Sequence, residues 1–256
     1  MKKNKMYAIC QLSVCPLRSS ASDESEIVSQ LVFGDFVTVL TEGQPWIQVK
    51  NYADDYEGWM DFKQLKFIDE LTFKKGTKNF PVVVGNGQLD LDGPYGKITV
   101  FLGATLPFFS QNTCQIGDDH YTLSSPLIDA GPKNLPELCL IYLNAPYLWG
   151  GKSLYGIDCS GLTQNIFKAI GIQAPRDASQ QVDEGMTIKW DEREIHDVIF
   201  FTVSSEKVTH VGILVNKDEI IHAHGRVRID RCDRTGIFNL EQNKYTHQYH
   251  STKRWL

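Results

Sequence analysis

Short runs of alternating hydrophobic and polar residues fill the first quarter of the chain and predict β-strands. Polar turns separate the runs, and this spacing is typical of a small barrel or sandwich. The strands are predicted at residues 7–14, 26–30, 36–40, 46–49 and 57–60. A polar linker is predicted to follow over residues 69–79.

The short-strand pattern returns between residues 82 and 127, with turn signals at residues 85–87 and 92–94. It predicts a second small β-domain, and a further linker is predicted at residues 129–132. Pro136 follows directly, and proline suits the first turn of a helix. A third domain is therefore predicted to open with a helix here.

After Cys159 the hydrophobic period becomes that of a helix. We predict an amphipathic helix that begins at Cys159 and ends at Gly171, with an apolar face formed by Leu162, Ile166, Phe167 and Ile170. Free N–H groups at a helix start favour negative charge, so we expect them to stabilise a thiolate and to receive an oxyanion. Gly150, Gly151 and Gly156 permit a sharp turn before the cysteine.

A thiolate nucleophile needs a base, and the base needs an orienting partner. Two strands of a predicted hairpin carry His210 and His222 within otherwise apolar faces. The two histidines lie an even number of positions apart, so a regular two- or four-residue loop would place them on opposite faces. We therefore predict an odd loop or a β-bulge between Val215 and Ile220. His224 has the same parity and competes for the orienting role.

Composition narrows the alternatives. The chain of 256 residues is 42% hydrophobic and 22% charged, as in ordinary globular proteins, and its net charge of −5 argues against a nucleic-acid partner. The other cysteines are predicted to be buried hydrophobes, and the other histidines to be ordinary strand or surface residues: Cys10, Cys15, Cys114, Cys139, Cys232, His120, His196, His247 and His250.

Catalysis by the thiol requires no cofactor. A metal site built from Cys159, His210 and His222 is an alternative, because all three are ligand types. The cysteine at a helix start and the glycines before it are explained better by catalysis.

Five motifs together resemble the NlpC family of papain-like cell-wall cysteine peptidases over roughly residues 135–256. They are Tyr-x-Trp-Gly-Gly at 147–151, Asp-Cys-Ser-Gly at 158–161, Pro-Arg-Asp-Ala-Ser-Gln-Gln at 175–181, His-Val-Gly-Ile at 210–213 and Ile-His-Ala-His at 221–224. The resemblance implies that Cys159 is the nucleophile, His210 the general base and His222 the orienting residue.

Tyr147 and Trp149 are expected to form a wall of the cleft, with Tyr147 near the oxyanion. The early segments 16–18, 25–31, 33–35, 46–49 and 56–59 resemble bacterial SH3-like domains that accompany such peptidases. The expected fold class is multidomain: two small all-β SH3-like barrels at residues 1–70 and 80–128, the second divergent, followed by an α+β papain-like peptidase domain at residues 135–256.

This arrangement resembles murein-peptide endopeptidases that cleave between D-glutamate and a diamino acid, either diaminopimelate or lysine. It implies a murein peptide substrate with a free N-terminal L-Ala, and a role in cell-wall peptide recycling or turnover. The residues matching those that hold the amine are Asp177, Tyr56 and Glu26. For Asp177 the binding role is favoured over the alternative of capping the next helix, whereas Glu26 is equally suited to be a solvated surface acid. Asp158 and Ser160 flank the nucleophile and are expected to touch substrate.

Two other functions stay open. An amidase or acyltransferase on the same core would keep Cys159 and His210 without amine-binding acids, and a non-catalytic cell-wall-binding protein would depend on the SH3-like domains. No sustained apolar run follows the basic residues 1–5, so we expect no signal peptide and no membrane span. Six cysteines without framework spacing favour the cytoplasm, with a periplasmic or secreted protein that has lost its leader as the alternative.

Overall fold

The computed structural model describes residues 5–78, 87–127, 135–203 and 207–256. The chain divides into two compact units, residues 1–129 and residues 130–256. The linker predicted at residues 129–132, and most of the turn predicted at residues 85–87, lie outside the described residues. In the part of the chain that is described, no helix combines the length and the apolar character needed to cross a membrane.

The first sheet of the first unit contains seven antiparallel strands, which confirm the strand-rich pattern of the sequence. They are β1 Met6–Cys10, β2 Val14–Arg18, β3 Ile27–Val32, β4 Phe36–Thr41, β5 Trp46–Asn51, β6 Glu57–Asp61 and β7 Leu65–Ile68. Their order is β3-β2-β6-β5-β4-β1-β7. Residues alternate in and out of the core along β5, where Ile47 and Val49 are buried and Gln48 is not.

The linker predicted at residues 69–79 is wrong over most of its length, because the helix α1 Glu70–Gly76 forms there. The Asp69 carboxylate caps this helix by accepting an N–H of its first turn. Phe73 anchors the helix, and its ring lies 4.3 Å from that of Tyr7. One buried aromatic in a polar segment is too weak a pattern to predict a helix from sequence.

A four-stranded antiparallel sheet follows, formed by β8 Gln88–Gly93, β9 Gly96–Phe101, β10 Thr113–Ile116 and β11 Asp119–Leu123. Its order is β10-β11-β8-β9. The two sheets share one apolar core, whose buried members include Tyr7, Ile9, Val32 and Phe36 from the first sheet and Leu91, Val100, Ile116 and Tyr121 from the second. Residues 87–127 therefore pack as part of the first unit.

The second unit begins with the helix α2 Leu135–Ile141, as predicted. The strands β12 Lys152–Ser153 and β13 Gly156–Ile157 and the helices α3 Cys159–Ala169 and α4 Ala178–Gln181 follow. Its main sheet contains β14 Met186–Ile188, β15 Val198–Thr202, β16 His210–Asn216, β17 Glu219–His224, β18 Arg226–Cys232, β19 Gly236–Asn239 and β20 Lys244–Arg254.

The strand order of the main sheet is β14-β20-β15-β16-β17-β18-β19, and a further pairing of β19 with β20 closes part of it on itself. Helix α3 packs against β16 and β17. The helix that begins at Cys159 therefore lies beside the two strands that carry His210 and His222. The sheet core includes Ile199, Phe201, Leu214 and Ile220.

Substitution of Gly34 tests the contact between the two sheets of the first unit. Gly34 has φ +83°, and a Cβ there would lie 2.1 Å from the carbonyl oxygen of Thr105. Gly96 has φ +108° and open space around its Cβ position. We expect Gly34→Ala to lower the free energy of unfolding by about 1–3 kcal/mol more than Gly96→Ala, because only Gly34→Ala also overpacks a contact. Urea unfolding measures both, and equal losses would contradict a rigid contact.

Candidate active site

Asp158 caps the start of the helix that carries the candidate nucleophile, Cys159. Cys159 opens α3 as predicted, and one carboxylate oxygen of Asp158 accepts the Gly161 N–H at 2.7 Å. The other oxygen accepts the Gly150 N–H at 2.8 Å. One carboxylate therefore ties the glycine turn to the start of the helix.

Arg176 neutralises this carboxylate from inside the protein. Its two terminal nitrogens donate to the two oxygens of Asp158 at 3.0 and 2.6 Å, and one of them also donates to the Ser160 hydroxyl at 3.0 Å. The Arg176 side chain is only 1% exposed. A bidentate pair of this kind holds both partners in a single geometry. Sequence reasoning quoted Arg176 within a motif but gave it no role.

The glycine turn has the geometry that the sequence predicts. Gly150 has φ +77°. A Cβ on Gly151 would lie 2.4 Å from the carbonyl oxygen of Gly156. Tyr147 and Trp149 precede the turn, where Tyr147 is half-buried and Trp149 is 60% exposed. Burial raises the pKa of the Tyr147 hydroxyl, so this residue remains a hydrogen-bond donor at neutral pH.

The Cys159 thiol is protonated in the resting fold. Burial raises the pKa of Cys159 to about 12, and the Asp158 carboxylate acts in the same direction. The N–H groups of Val211 and Ser160 and the charge of Arg176 favour the thiolate, but they do not outweigh burial. The helix-start N–H of Ser160 therefore acts in the direction expected from the sequence, and burial opposes it. Val211 directly follows His210, so its N–H places the sulfur beside this part of β16.

A β-bulge brings the two predicted histidines to one face of the sheet. The register of β16 and β17 shifts between Leu214 and Asn216, which confirms the bulge predicted from parity. Nε2 of His210 lies 2.8 Å from Nδ1 of His222. Both residues are buried, with exposures of 5% and 0%. The His224 ring centre is 6.4 Å from that of His210, so the ring that is hydrogen-bonded to His210 is that of His222.

His247 of β20 is a neighbour that sequence reasoning treated as ordinary. It is buried, and its ring stacks on that of His210 with centroids 4.1 Å apart. Burial lowers the pKa of His210 well below its usual value, and the nearby rings of His247, His222 and His224 lower it further. Burial likewise lowers the pKa of His247 to about 3. The imidazoles of His210 and His247 are therefore neutral at physiological pH.

Asp230 is a second residue that the sequence did not reveal. Its Oδ2 lies 3.1 Å from Nε2 of His222. Arg228 donates to its Oδ1 at 2.9 Å. Both residues lie on β18, two positions apart and buried among apolar neighbours. Two buried charged residues on one face of a strand indicate a polar site, but the sequence links them to His222 only if β18 is known to pair with β17.

Asp177 lies at the N-cap of α4 and forms a capping box with Gln180, whose side-chain oxygen accepts the Asp177 N–H at 3.2 Å. This is the capping role that the sequence left open. Asp177 is half-buried. Ser160 is buried and bonded within the Asp158 network.

Tyr56 and Glu26 belong to the first unit. Tyr56 is half-buried immediately before β6, and its N–H donates to the Asp54 carboxylate at 3.2 Å. Glu26 is exposed immediately before β3. Its carbonyl oxygen accepts the Ser19 N–H at 2.9 Å.

The arrangement of nitrogens does not favour the metal alternative. The nitrogens of His210 and His222 that face each other are 2.8 Å apart, so they hydrogen-bond to each other and cannot both direct lone pairs at one ion. Across the residues that the structure describes, no three His, Cys, Asp or Glu side chains are grouped to hold a metal ion.

Comparison with known families identifies both ends of the chain. Residues 144–253 match the NlpC/P60 family model. Residues 17–65 match the bacterial dipeptidyl-peptidase Sh3 domain. An SH3-like N-terminal domain therefore precedes an NlpC/P60 domain, and the predicted cysteine peptidase class is confirmed.

Dipeptidyl-peptidases are among the relatives that match most of the chain. The γ-D-glutamyl-L-lysine dipeptidyl-peptidase of Bacillus cereus is 28% identical, over 87% of this chain and 70% of the relative. Dipeptidyl-peptidase 6 of Lysinibacillus sphaericus is 26% identical, over 85% of this chain and 88% of the relative. A solved NlpC/P60 family protein from Bacillus cereus shares the fold, with a TM-score of 0.80 at 20% identity, over 98% of this chain and 99% of that one.

The protonated resting thiol predicts a pH profile for alkylation. Because the pKa of Cys159 is raised to about 12, its rate of reaction with iodoacetamide should rise steadily between about pH 6 and pH 9. Mass spectrometry locates the label, and Cys159→Ser provides the background from the other cysteines. A plateau of high reactivity at acidic pH would contradict this prediction, since it would show a preformed thiolate.

Removal of Arg176 tests the buried ion pair. Arg176→Met should lower the free energy of unfolding by about 3–5 kcal/mol, because it leaves the Asp158 carboxylate buried without its cation. Asp158→Asn in the same chain removes that charge, so the double variant should recover part of the loss. Denaturant unfolding of the single and double variants measures the coupling. A loss below about 1 kcal/mol for Arg176→Met would show that the pair is not important for stability.

Proposed function

We propose that this protein is a cysteine endopeptidase that hydrolyses the γ-D-glutamyl–diamino acid bond of cell-wall peptides bearing a free N-terminal L-Ala. The observation that carries the proposal is the hydrogen-bonded pair of His210 and His222 beside the helix that begins at Cys159. Similar proteins named γ-D-glutamyl-L-lysine dipeptidyl-peptidase support cell-wall peptide hydrolysis. The free amine and the choice of diamino acid rest on the sequence resemblance.

The finer architecture belongs to the same proposal. We assign residues 135–256 to an α+β papain-like core, supported by the packing of α3 against the antiparallel strands β16 and β17. We assign residues 80–128 to a second, divergent SH3-like domain, supported by the antiparallel strands β8 to β11.

The proposed reaction begins with proton transfer. Nε2 of His210 is bonded to His222, so Nδ1 is the ring nitrogen assigned to the thiol. Because the thiol and the imidazole are both neutral at rest, His210 takes the proton as the sulfur attacks the carbonyl carbon. A carbon–sulfur bond forms, and the carbonyl electron pair moves to oxygen. The backbone N–H of Cys159 and the Tyr147 hydroxyl are assigned to the oxyanion.

The second half of the reaction restores the enzyme. His210 gives its proton to the leaving amine as the carbon–nitrogen bond breaks, which leaves a thioester on Cys159. Water then attacks this thioester while His210 takes a proton from the water. The carbon–sulfur bond breaks, the sulfur recovers a proton, and the γ-glutamyl product leaves as an acid.

Selection of a free amine is assigned to Asp177, Tyr56 and Glu26. A carboxylate in a cleft pairs with an ammonium group, whereas an acylated nitrogen leaves the carboxylate desolvated without a partner. Asp177→Asn is a suitable probe, because asparagine is as good an N-cap as aspartate and α4 retains its start.

The substrate proposal predicts faster cleavage of peptides with a free amine. Wild-type protein should cleave L-Ala-γ-D-Glu-L-Lys, or its diaminopimelate counterpart, at least about tenfold faster than the N-acetylated peptide. Asp177→Asn should narrow this ratio, whereas Asp183→Asn, at an exposed acid near α4, should not. Mass spectrometry of the products measures the rates, and Cys159→Ala provides the blank.

Two variants of the first unit, Tyr56→Phe and Glu26→Gln, test the remaining assignments in the same assay. Equal cleavage of free and N-acetylated peptides by wild-type protein would overturn the amine requirement while leaving the peptidase assignment in place. If neither peptide is cleaved, the γ-D-glutamyl–diamino acid bond is not the bond that this protein hydrolyses.

A further inference from the structure

We propose that Asp230, held by Arg228, is a positioning residue that sets the tautomers of both site histidines and extends the site to a relay of Cys159, His210, His222 and Asp230. The inference rests on the proposed roles of Cys159 and His210. It adds two residues of β18 that the sequence did not connect with the site.

The two contacts of His222 determine which of its ring nitrogens holds the proton. This ring is 0% exposed, so both of its nitrogens must find partners within the protein. Nδ1 faces Nε2 of His210 at 2.8 Å, and Nε2 faces Oδ2 of Asp230 at 3.1 Å. Asp230 is 2% exposed. An ionised carboxylate can only accept hydrogen bonds, so the proton of a neutral His222 must lie on Nε2.

The tautomer of His222 in turn determines the tautomer of His210. With its proton on Nε2, His222 offers a lone pair at Nδ1, and Nε2 of His210 must therefore donate. A neutral His210 that donates from Nε2 has its lone pair at Nδ1, which is the nitrogen assigned to the thiol. A carboxylate two rings away from the sulfur thus determines whether His210 can act as a base.

Arg228 keeps Asp230 ionised. Its Nη2 donates to Oδ1 at 2.9 Å, and its Nε lies 2.7 Å from Oδ2. Burial alone would raise the pKa of Asp230, but the hydrogen bonds from His222 and Arg228 outweigh it and lower that pKa. Nη1 of Arg228 donates to Glu241 at 2.9 Å, which fixes the guanidinium from its outer side.

The charge of Asp230 also matters during the reaction. When His210 holds the proton, the facing groups are the Asp230 carboxylate, the Arg228 cation and the rings of His224 and His247. Burial lowers the pKa of His222, and Asp230 opposes this through its hydrogen bond and its charge. The carboxylate therefore stabilises the positive charge that the histidine pair receives in the reaction.

The variant Asp230→Asn removes this charge at almost constant volume. An amide cannot accept from both His222 and Arg228 at the two oxygen positions of Asp230, because one of those positions becomes an N–H donor. Asp197→Asn is the matched control. Asp197 is 1% exposed, and Arg254 donates to its two oxygens at 2.7 and 2.9 Å. One of these oxygens also accepts the Glu194 N–H at 2.8 Å, so this carboxylate pairs with an arginine outside the histidine cluster.

Activity assays separate a positioning role from a structural one. We expect Asp230→Asn to lower kcat by about 10- to 100-fold with little change in KM, because the lost contact is strongest when the histidine pair is charged. The acid limb of the kcat/KM profile should also move to lower pH, since removal of the carboxylate makes the histidine pair harder to protonate. Asp197→Asn should leave this limb in place. Equal profiles for the two variants would overturn the relay.

A readout without substrate keeps the inference separate from the proposed function. In wild-type protein labelled with ¹⁵N-histidine, the shifts of His210 and His222 should report protonated Nε2 and unprotonated Nδ1 in both rings at neutral pH. A proton on Nδ1 of either ring would overturn the inference, even if Asp230→Asn failed to fold. If wild-type protein shows these tautomers but cleaves no γ-D-glutamyl peptide, the proposed substrate fails and the relay stands.

Discussion

The carboxylate of Asp158 connects the glycine turn, the start of the helix at Cys159 and the Arg176 guanidinium. Its oxygens accept hydrogen bonds from the N–H groups of Gly150 and Gly161 and from both terminal nitrogens of Arg176. An unpaired carboxylate would be costly in this buried position, and the Arg176 guanidinium offsets that cost. Because the glycine turn and the helix start share one carboxylate, Cys159 cannot move relative to the turn without breaking several of these bonds.

The second unit uses a buried carboxylate with an arginine twice, with different consequences for catalysis. Asp158 lies beside the thiol, so its charge disfavours the thiolate and raises the pKa of Cys159 along with burial. Asp230 contacts His222 on the side of the base, where negative charge favours an imidazolium. In both places the arginine also fixes the direction of the hydrogen bonds that the carboxylate accepts.

The sequence predicted the parts of the site that depend on local pattern. Alternation along two strands required an odd loop or a bulge between Val215 and Ile220 if His210 and His222 were to share a face, and the register shows a bulge at Val215. The extent of α3 followed from the apolar period after Cys159 and from Gly171, which lies directly after the C-cap of the helix. Such features need only neighbouring residues, so a single chain carries enough information to predict them.

The residues that escaped prediction depend on strand order. Asp230 meets His222 because β18 pairs with β17, and His247 reaches His210 because β20 runs beside β15 in the same sheet. No local period encodes either neighbour. The shared core of the two N-terminal sheets escaped for the same reason. The helix at residues 70–76 was missed because its inward face presents chiefly Phe73.

Desolvation and the relay act in opposite directions on the base, and the site needs both. The stacked ring of His247 and the burial of His210 keep the imidazole neutral, so that its lone pair is available at rest. The same desolvation makes His210 a weak base, which alone would slow removal of the thiol proton. A carboxylate in contact with His222 compensates without touching the thiol, since it favours the positive charge only after the proton has moved. The position of each carboxylate explains why Asp230 can compensate in this way and Asp158 cannot. The negative charge of Asp158 lies beside the sulfur and disfavours the thiolate. The negative charge of Asp230 is separated from the sulfur by two imidazole rings, and it stabilises the protonated histidine pair that accompanies the thiolate.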